Sequence, residues 1–210
     1  YNTTNRKKMK ELISRCYIYK LLSLTLALKL EDIKRLYEVI PFLNDKLEEA
    51  YHVIFSSNLE KLKDLMGDMK EFEPLERRMI PSVIIGRTLA DIAGFYKAFG
   101  LELKGELPLD HFSVEAEFMA HLLLKEAYGY LKKNEEMCEI VRDAQKKFLA
   151  DHFSRVLDYL KALKSRFSDI SPLINFFENF LLEELKRWNI SIMVSPKFFK
   201  EDEELSCPYS

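Results

Sequence analysis

Apolar residues recur every three or four positions along most of the chain, which is the spacing of one face of an α-helix. In the first predicted helix, residues 4–29, this spacing includes Leu12, Cys16, Tyr19, Leu22 and Leu26. The strict alternation of apolar and polar residues that marks a half-buried strand occurs nowhere in the sequence. The pattern therefore predicts an all-α fold, a single-domain bundle of roughly seven to ten helices.

Residues that favour helix ends divide this pattern into segments. Pro41 ends a short helix after Leu30, and Gly100 ends a helix that begins near Ser82. Residues 101–109 include Gly105, lack helical spacing and form the one convincing internal loop. The predicted N-caps are Asn44 for a helix to Phe55, Asn58 for a helix to Met69, Asp110 for a helix to Lys133, and Ser171, ahead of Pro172, for a last helix that ends near Asn189; residues 135–166 are predicted as one continuous helix.

Length and composition fit one globular domain. The chain has 210 residues, of which 48% are hydrophobic and 31% charged, so a sizeable core is expected. Its six glycines and seven prolines are few for this length, which favours helices over turn-rich sheet. We predict one domain over residues 1–192 and a loosely ordered tail over residues 193–210, where four acidic residues follow one another.

Charge and cysteine content exclude several classes of protein. A formal net charge of −2 argues against a nucleic-acid-binding protein, because phosphate binding depends on clustered positive charge. The three cysteines contain no C-x-x-C pair, so neither a disulfide framework nor a cysteine zinc site is expected. The most apolar early run, residues 21–28, is too short to span a membrane. We therefore predict a soluble protein of the cytoplasm without stable membrane insertion.

One predicted helix, after residue 110, carries carboxylates where its core-facing side chains should be. Glu115 and Glu126 point in the same direction as the largest apolar residues of that helix. Unpaired burial of a carboxylate is expensive, so each must find an internal partner, be protonated, or border a groove that receives a cationic ligand. Eleven residues of helix separate them by about 16 Å, too far for a cooperating acid/base pair. Internal pairing, protonation and a ligand-binding groove all stay open.

Other catalytic arrangements are weaker still. Glu117 and His121 are four residues apart, as are His111 and Glu115, but the two pairs lie on different faces and no third metal ligand joins either. Ser113 lacks the sequence context of a hydrolase nucleophile, and the glycines do not form a phosphate loop. We therefore predict neither a catalytic residue nor a metal or cofactor, and a protein that is not an enzyme.

Residues 107–119, LPLDHFSVEAEFM, resemble the E-P-x-D-H signature and the following helix of the TorD/DmsD/NarJ family. These are cytoplasmic maturation chaperones of molybdenum-containing redox enzymes. Three further segments agree in order and spacing: RCYIYKLL at 15–22, FYKAFGLE at 95–102 and FLADHF at 148–153. The resemblance covers most of residues 10–185, with two departures. Leu107 stands where the signature usually has Glu, and Val156 stands where Trp is frequent.

The resemblance implies a non-catalytic function. Family members bind the twin-arginine leader peptide of a molybdoenzyme catalytic subunit, or its apo-form, and hold the subunit until its cofactor is inserted. The leader peptide and that subunit are thus the implied partners, and some family members form homodimers. An alternative from another class is a helical adaptor that binds a folded redox-enzyme subunit independently of any leader.

A twin-arginine leader places two arginines ahead of an apolar stretch, so its receptor needs an apolar groove beside carboxylates. The loop that ends at Pro108 and the helix behind it can supply both. We predict that Pro108, Asp110, His111 and Glu115 bind the peptide, with Asp110 also acting as the helix cap. Weaker candidates for the groove wall are Phe112, Tyr96 and Tyr19, for which packing in the core is the alternative.

Overall fold

The computed structural model describes residues 3–40, 44–60, 63–64, 72–103 and 105–191. Within these ranges it contains no β-strand, only a single isolated bridge, which confirms the predicted all-α fold. The α-helices with described bounds are α1 (Thr3–Leu26), α2 (Leu30–Val39), α3 (Asp45–Ser56), α4 (Ile85–Phe99), α5 (Phe112–Leu131), α6 (Glu135–Asp151), α7 (Val156–Arg166) and α8 (Ser171–Arg187). No helix among these described residues is long and apolar enough to cross a membrane.

Helix α5 lies at the centre of the bundle, between α1 and α6. Its buried residues point in most directions around the helix axis, which is typical of a helix at the centre of a bundle. Helix α1 runs antiparallel to it, since the Cys16 thiol donates to the Ala120 carbonyl at 3.3 Å and the hydroxyls of Ser23 and Ser113 are 3.2 Å apart. Side chains at the start of α5 are therefore enclosed from several sides.

Several predicted helix ends are confirmed. The Asn44 side chain accepts a hydrogen bond from the Leu47 amide at 3.0 Å and caps α3. Gly100 ends α4 with φ +70°, a left-handed conformation that glycine adopts without the steric cost of a Cβ. Most of the predicted helix from Asn58 to Met69 lies outside the described residues. Pro41 and the predicted tail at 193–210 also lie outside them.

Two predicted caps are wrong. His111, rather than Asp110, caps α5: its Nδ1 accepts from the Ser113 amide at 3.1 Å. The Asp110 carboxylate instead receives three hydrogen bonds from Arg77, which is 33 residues away in the chain. Ser171 is the first residue of α8 and Ile170 occupies the cap position, without a side-chain hydrogen bond.

The prediction of one continuous helix over residues 135–166 is also wrong. Helix α6 ends at Asp151, a short 3-10 turn covers Phe153–Arg155, and α7 begins at Val156. The break falls at His152, with φ −129° and ψ −74°, although no glycine or proline is present there. Burial of the His152 and Phe153 side chains accompanies this break.

Candidate functional site

The segment before α5 is clamped to residues 74–77 by backbone hydrogen bonds. The Glu76 amide donates to the Asp110 carbonyl at 2.8 Å, and the Phe112 amide donates to the Pro74 carbonyl at 2.7 Å. Leu75 and His111 form the antiparallel bridge between these bonds. The signature segment therefore fixes the position of a second, distant segment, and with it the side chain of Glu76.

Asp110 reinforces this clamp through its side chain. Its fully buried carboxylate accepts from the Arg77 backbone amide at 3.1 Å and from Nε of the same residue at 2.7 Å, with a further bond from Nη2. The hydrogen bond with Asp110 raises the pKa of Arg77. This charge-assisted, bidentate pair accounts for an acid at this position without any ligand.

His111 is buried and uncharged. Burial lowers the pKa of His111 to about 4, so its imidazole is neutral at physiological pH. A neutral Nδ1 has the free lone pair that the Ser113 amide requires. In this arrangement His111 acts as a helix cap rather than as a charged ligand.

The clamped Glu76 belongs to a network of charged groups. Its Oε1 accepts from Arg155 Nη1 and lies 3.3 Å from His152 Nδ1. The other imidazole nitrogen of His152 lies 2.9 Å from Asp91 Oδ2. Although burial lowers the pKa of His152, hydrogen bonds and charge interactions with Glu76 and Asp91 raise it overall. The network thus connects the fully buried Glu76 to Asp91, whose side chain is 57% exposed.

The exposed end of this network lines a groove of about 670 Å³. The groove is formed by the start of α4, the α6–α7 junction and the residues just after α8. Three carboxylates face it, those of Asp91, Asp151 and Asp158, together with the basic Arg87 and Arg155. Arg155 is already paired with Glu76, whereas Asp151 has no ion-pair partner among the residues that the structure describes. The groove is therefore a polar site with carboxylates that a cationic group can approach.

None of the predicted binding residues lines this groove, and most of them are enclosed. Asp110, His111, Phe112, Glu115, Tyr96 and Tyr19 are all buried, and Pro108 is partly buried. In this conformation a peptide can contact the six buried side chains only if the corner opens. Their role in peptide binding stays a prediction.

The three aromatic candidates pack in the core, which is the alternative to a position in the groove wall. The Tyr96 hydroxyl donates to the Leu109 carbonyl at 2.9 Å, next to the clamp. Phe112 packs against the ring of Tyr159, with the ring centroids 5.8 Å apart. Tyr19 lies in a different environment, where its hydroxyl donates to Glu184 at 3.3 Å. The structure thus brings Tyr96 and Phe112 together with residues 108–111 and leaves Tyr19 at the Glu184 side.

The two carboxylates that drew attention in the sequence meet different environments. Glu126 accepts from Arg142 Nε at 2.7 Å and from Gln145 Nε2 at 2.8 Å, so the alternative of internal pairing holds for it. Both oxygens of Glu115 are buried without a hydrogen-bond donor among the described residues. Burial and the nearby charge of Glu76 raise the pKa of Glu115 well above its ordinary value.

Sequence reasoning missed Glu76, Asp91 and Arg155. Glu76 lies between the predicted helix that ends at Met69 and the one that begins near Ser82, so no helical spacing marks it as a buried residue. Of the network residues, His152 lies in one of the segments that resemble the family, FLADHF at 148–153. That resemblance is the sequence signal that could have pointed to the network. No group of three or more His, Cys, Asp or Glu side chains suited to a metal ion occurs in the described part of the chain.

A comparison with protein families gives one match. Residues 81–158 match the family model described as the nitrate reductase delta subunit. This match confirms the predicted resemblance to the TorD/DmsD/NarJ family, and it supports the coarser prediction of a molybdoenzyme maturation chaperone. The matched residues include the whole of α4, α5 and α6 and the first residues of α7.

Proposed function

Starting from this family match, we propose that the protein binds the twin-arginine leader, the apo-form, or both, of the catalytic subunit of a molybdenum-containing oxidoreductase. It acts in the cytoplasm and holds that subunit until the cofactor is inserted. Its function is binding rather than catalysis. Formation of a homodimer stays a prediction.

The observation that carries this proposal is the groove and its accessible carboxylates. A guanidinium group pairs best with carboxylates that keep free oxygen atoms. Asp151 has no ion-pair partner within the described ranges, and Asp91 is more than half exposed. Both acids lie in the groove, where an arginine side chain can approach Asp151 directly and can share Asp91 with His152.

The rim of the groove supplies apolar surface. Val83 is 87% exposed and Ile84 is 37% exposed, and Ile84 lines the groove itself. Ile190 lines it from the end of α8. A segment with arginines followed by apolar residues matches this combination of acids and exposed aliphatic side chains.

The buried signature residues take a supporting role in this proposal. Asp110 and His111 hold residues 74–77, and Glu76 from that segment holds Arg155 and His152 at the floor of the groove. The signature thereby shapes the groove from behind. Direct contact between the signature and a peptide belongs to an opened conformation.

Peptide titration tests the proposal. A peptide with the leader sequence of the client should bind the wild-type protein, and replacing its two arginines by alanine should weaken binding clearly. Asp91→Asn and Asp151→Asn should each weaken the binding of the arginine peptide by about 1 kcal/mol, or roughly fivefold, because exposed ion pairs are screened. Glu139→Gln is a matched control, since it removes one exposed carboxylate of α6 outside the groove. Equal affinity of the two peptides would contradict the proposal.

A second candidate function, the adaptor that binds a folded subunit, is favoured by a different surface. Leu124, Tyr128 and Leu131 of α5 form an exposed apolar stripe, and each is more than half exposed. Co-purification separates the two functions. The adaptor retains a client that lacks its leader, and Leu124→Asp together with Tyr128→Asp should release it, whereas the groove variants should not.

A further inference from the structure

Three buried carboxylate oxygens near the clamp have no hydrogen-bond donor among the described residues. They are Oε1 and Oε2 of Glu115 and Oε2 of Glu76. Both residues are fully buried. Glu115 lies close enough to Glu76 for the charge of Glu76 to raise its pKa. Two ionised carboxylates side by side, buried and without a donor between them, are strongly unfavourable, because each loses its hydration and repels the other. The pair therefore needs a proton.

One proton satisfies all the observed contacts if it resides on Glu115. A protonated carboxyl group is a hydrogen-bond donor, and the free Oε2 of Glu76 is an acceptor. The other oxygen of Glu76 already accepts from Arg155 and faces His152, so the proton that the pair needs fits on Glu115, whose oxygens meet no donor. We propose that Glu115 is a neutral carboxylic acid which donates its proton to Oε2 of Glu76 and so positions Glu76 for Arg155 and His152.

The groups around Glu115 agree with this assignment. Burial and then the nearby carboxyl group of Glu76 raise the pKa of Glu115, and the charge of Asp110 raises it further. The positive charge of Arg155 acts in the opposite direction but is the smallest of these causes. Tyr96, on α4, directs its hydroxyl to the Leu109 carbonyl and so offers Glu115 no proton.

The proposal predicts how stability depends on pH. The pKa of Glu115 is raised in the folded state above the ordinary value of 4.5, so the folded protein binds one more proton than the unfolded chain in the window between the two values. The stability that this group contributes is complete below the unfolded pKa and is lost as the pH rises through the folded pKa. A glutamine at this position is neutral at every pH and can still donate to Glu76.

Urea unfolding of the wild-type protein and Glu115→Gln is the main test. The unfolding equilibrium constant of the wild type, divided by that of the variant, should rise with pH above about 4.5, approaching tenfold per pH unit, until the pH reaches the folded pKa of Glu115. Glu126→Gln is the matched control on the same helix, because Glu126 pairs with Arg142. That variant should be less stable than the wild type and should not show this rise. A wild type more stable than Glu115→Gln by a constant factor across the window would overturn the proposal.

Glu115→Met tests the positioning of Glu76. Methionine has a similar length and no donor, so Oε2 of Glu76 loses its partner. Glu115→Met should unfold at least several-fold more readily than Glu115→Gln, and the imidazole titration of His152, followed by NMR, should shift in the methionine variant alone. Equal stability of the two variants with an unchanged His152 titration would show that the hydrogen bond positions nothing.

Infrared spectroscopy detects the proton directly. The wild type should show a protonated-acid carbonyl stretch at neutral pH that disappears in Glu115→Gln, and its absence from the wild type would overturn the assignment. An effect on the client rests on the proposed function: Glu115→Gln should retain affinity for the arginine peptide, and Glu115→Met should lose several-fold. The unfolding and infrared measurements use no peptide. Failure of peptide binding would therefore contradict the proposed function without affecting the conclusion that Glu115 donates a proton to Glu76.

Discussion

Glu126 and Glu115 lie on the same helix, point in similar directions from it and are both buried, yet their environments differ. Glu126 finds Arg142 and Gln145 on the adjacent helix α6, and the Arg142 side chain remains 29% exposed. Glu115 faces a second acid, Glu76, which arrives from a distant segment. The comparison shows that the same residue type on one face can be an ion-pair partner at one end of a helix and a neutral acid at the other.

The surroundings explain this difference. The Glu126 end of α5 lies near the α5–α6 connection, where a neighbouring helix can present a long basic side chain whose head still reaches water. The Glu115 end lies under the clamp, where the nearby cation Arg155 is already paired with Glu76. Glu126 is therefore stabilised by its pair with Arg142, and Glu115 by its proton.

The largest expected effect is at the Glu126 end. Arg142→Met removes the cationic partner and leaves a buried carboxylate with Gln145 alone, which should lower the free energy of unfolding by about 3 kcal/mol. Urea denaturation measures this loss. Lys147→Met on the same helix is the control, since its pair with Asp143 is exposed and should change nothing measurable. A loss no larger than that of the control would show that Glu126 does not depend on Arg142.

A smaller effect is expected where the clamp meets Arg77. Asp110→Asn keeps the shape of the side chain but removes its charge, and should lower the free energy of unfolding by about 2 kcal/mol, because Arg77 is 37% exposed and regains water. The circular dichroism of the helices should persist below the transition. The same substitution should weaken binding of the arginine peptide only if the clamp shapes the groove. Stability equal to the wild type would show that the Asp110–Arg77 pair is not what holds the segment.

The smallest effect concerns His152 and depends on pH. Its raised folded pKa means that its contribution is complete below the unfolded value of 6.5 and is lost as the pH rises through the folded pKa. The advantage of the wild type over His152→Gln should therefore be about 1 kcal/mol near pH 6 and should decline above it. Thermal or urea unfolding over a pH series measures the difference. An advantage that grows with pH would contradict the charged state of His152.

The helices were largely predictable because their signals are local. Spacing of three and four residues predicted α1, Asn44 predicted the start of α3, and Gly100 predicted the end of α4. These features depend on neighbours within one or two helical turns. The break at His152 was missed because no helix-breaking residue marks it, and its buried contacts come from elsewhere in the chain.

The candidate site was predictable only in part. Resemblance pointed to residues 108–112, which hold the segment that carries Glu76, but it did not show that Asp110 pairs with Arg77 or that Glu115 lies near Glu76. The groove acids Asp91 and Asp151 carried no sequence signal at all. They lie on the exposed surface of helices, where charged residues are the rule.

By itself the sequence determined that this protein is a helical bundle, where most of its helices begin and end, and which corner has unusual acids. Only the tertiary structure decided which acid is paired, which is protonated and where carboxylates face an open groove. The reason is physical: helix formation is governed by hydrogen bonds and packing between near neighbours, whereas the charge of a buried group depends on atoms that folding brings from 33 or 76 residues away.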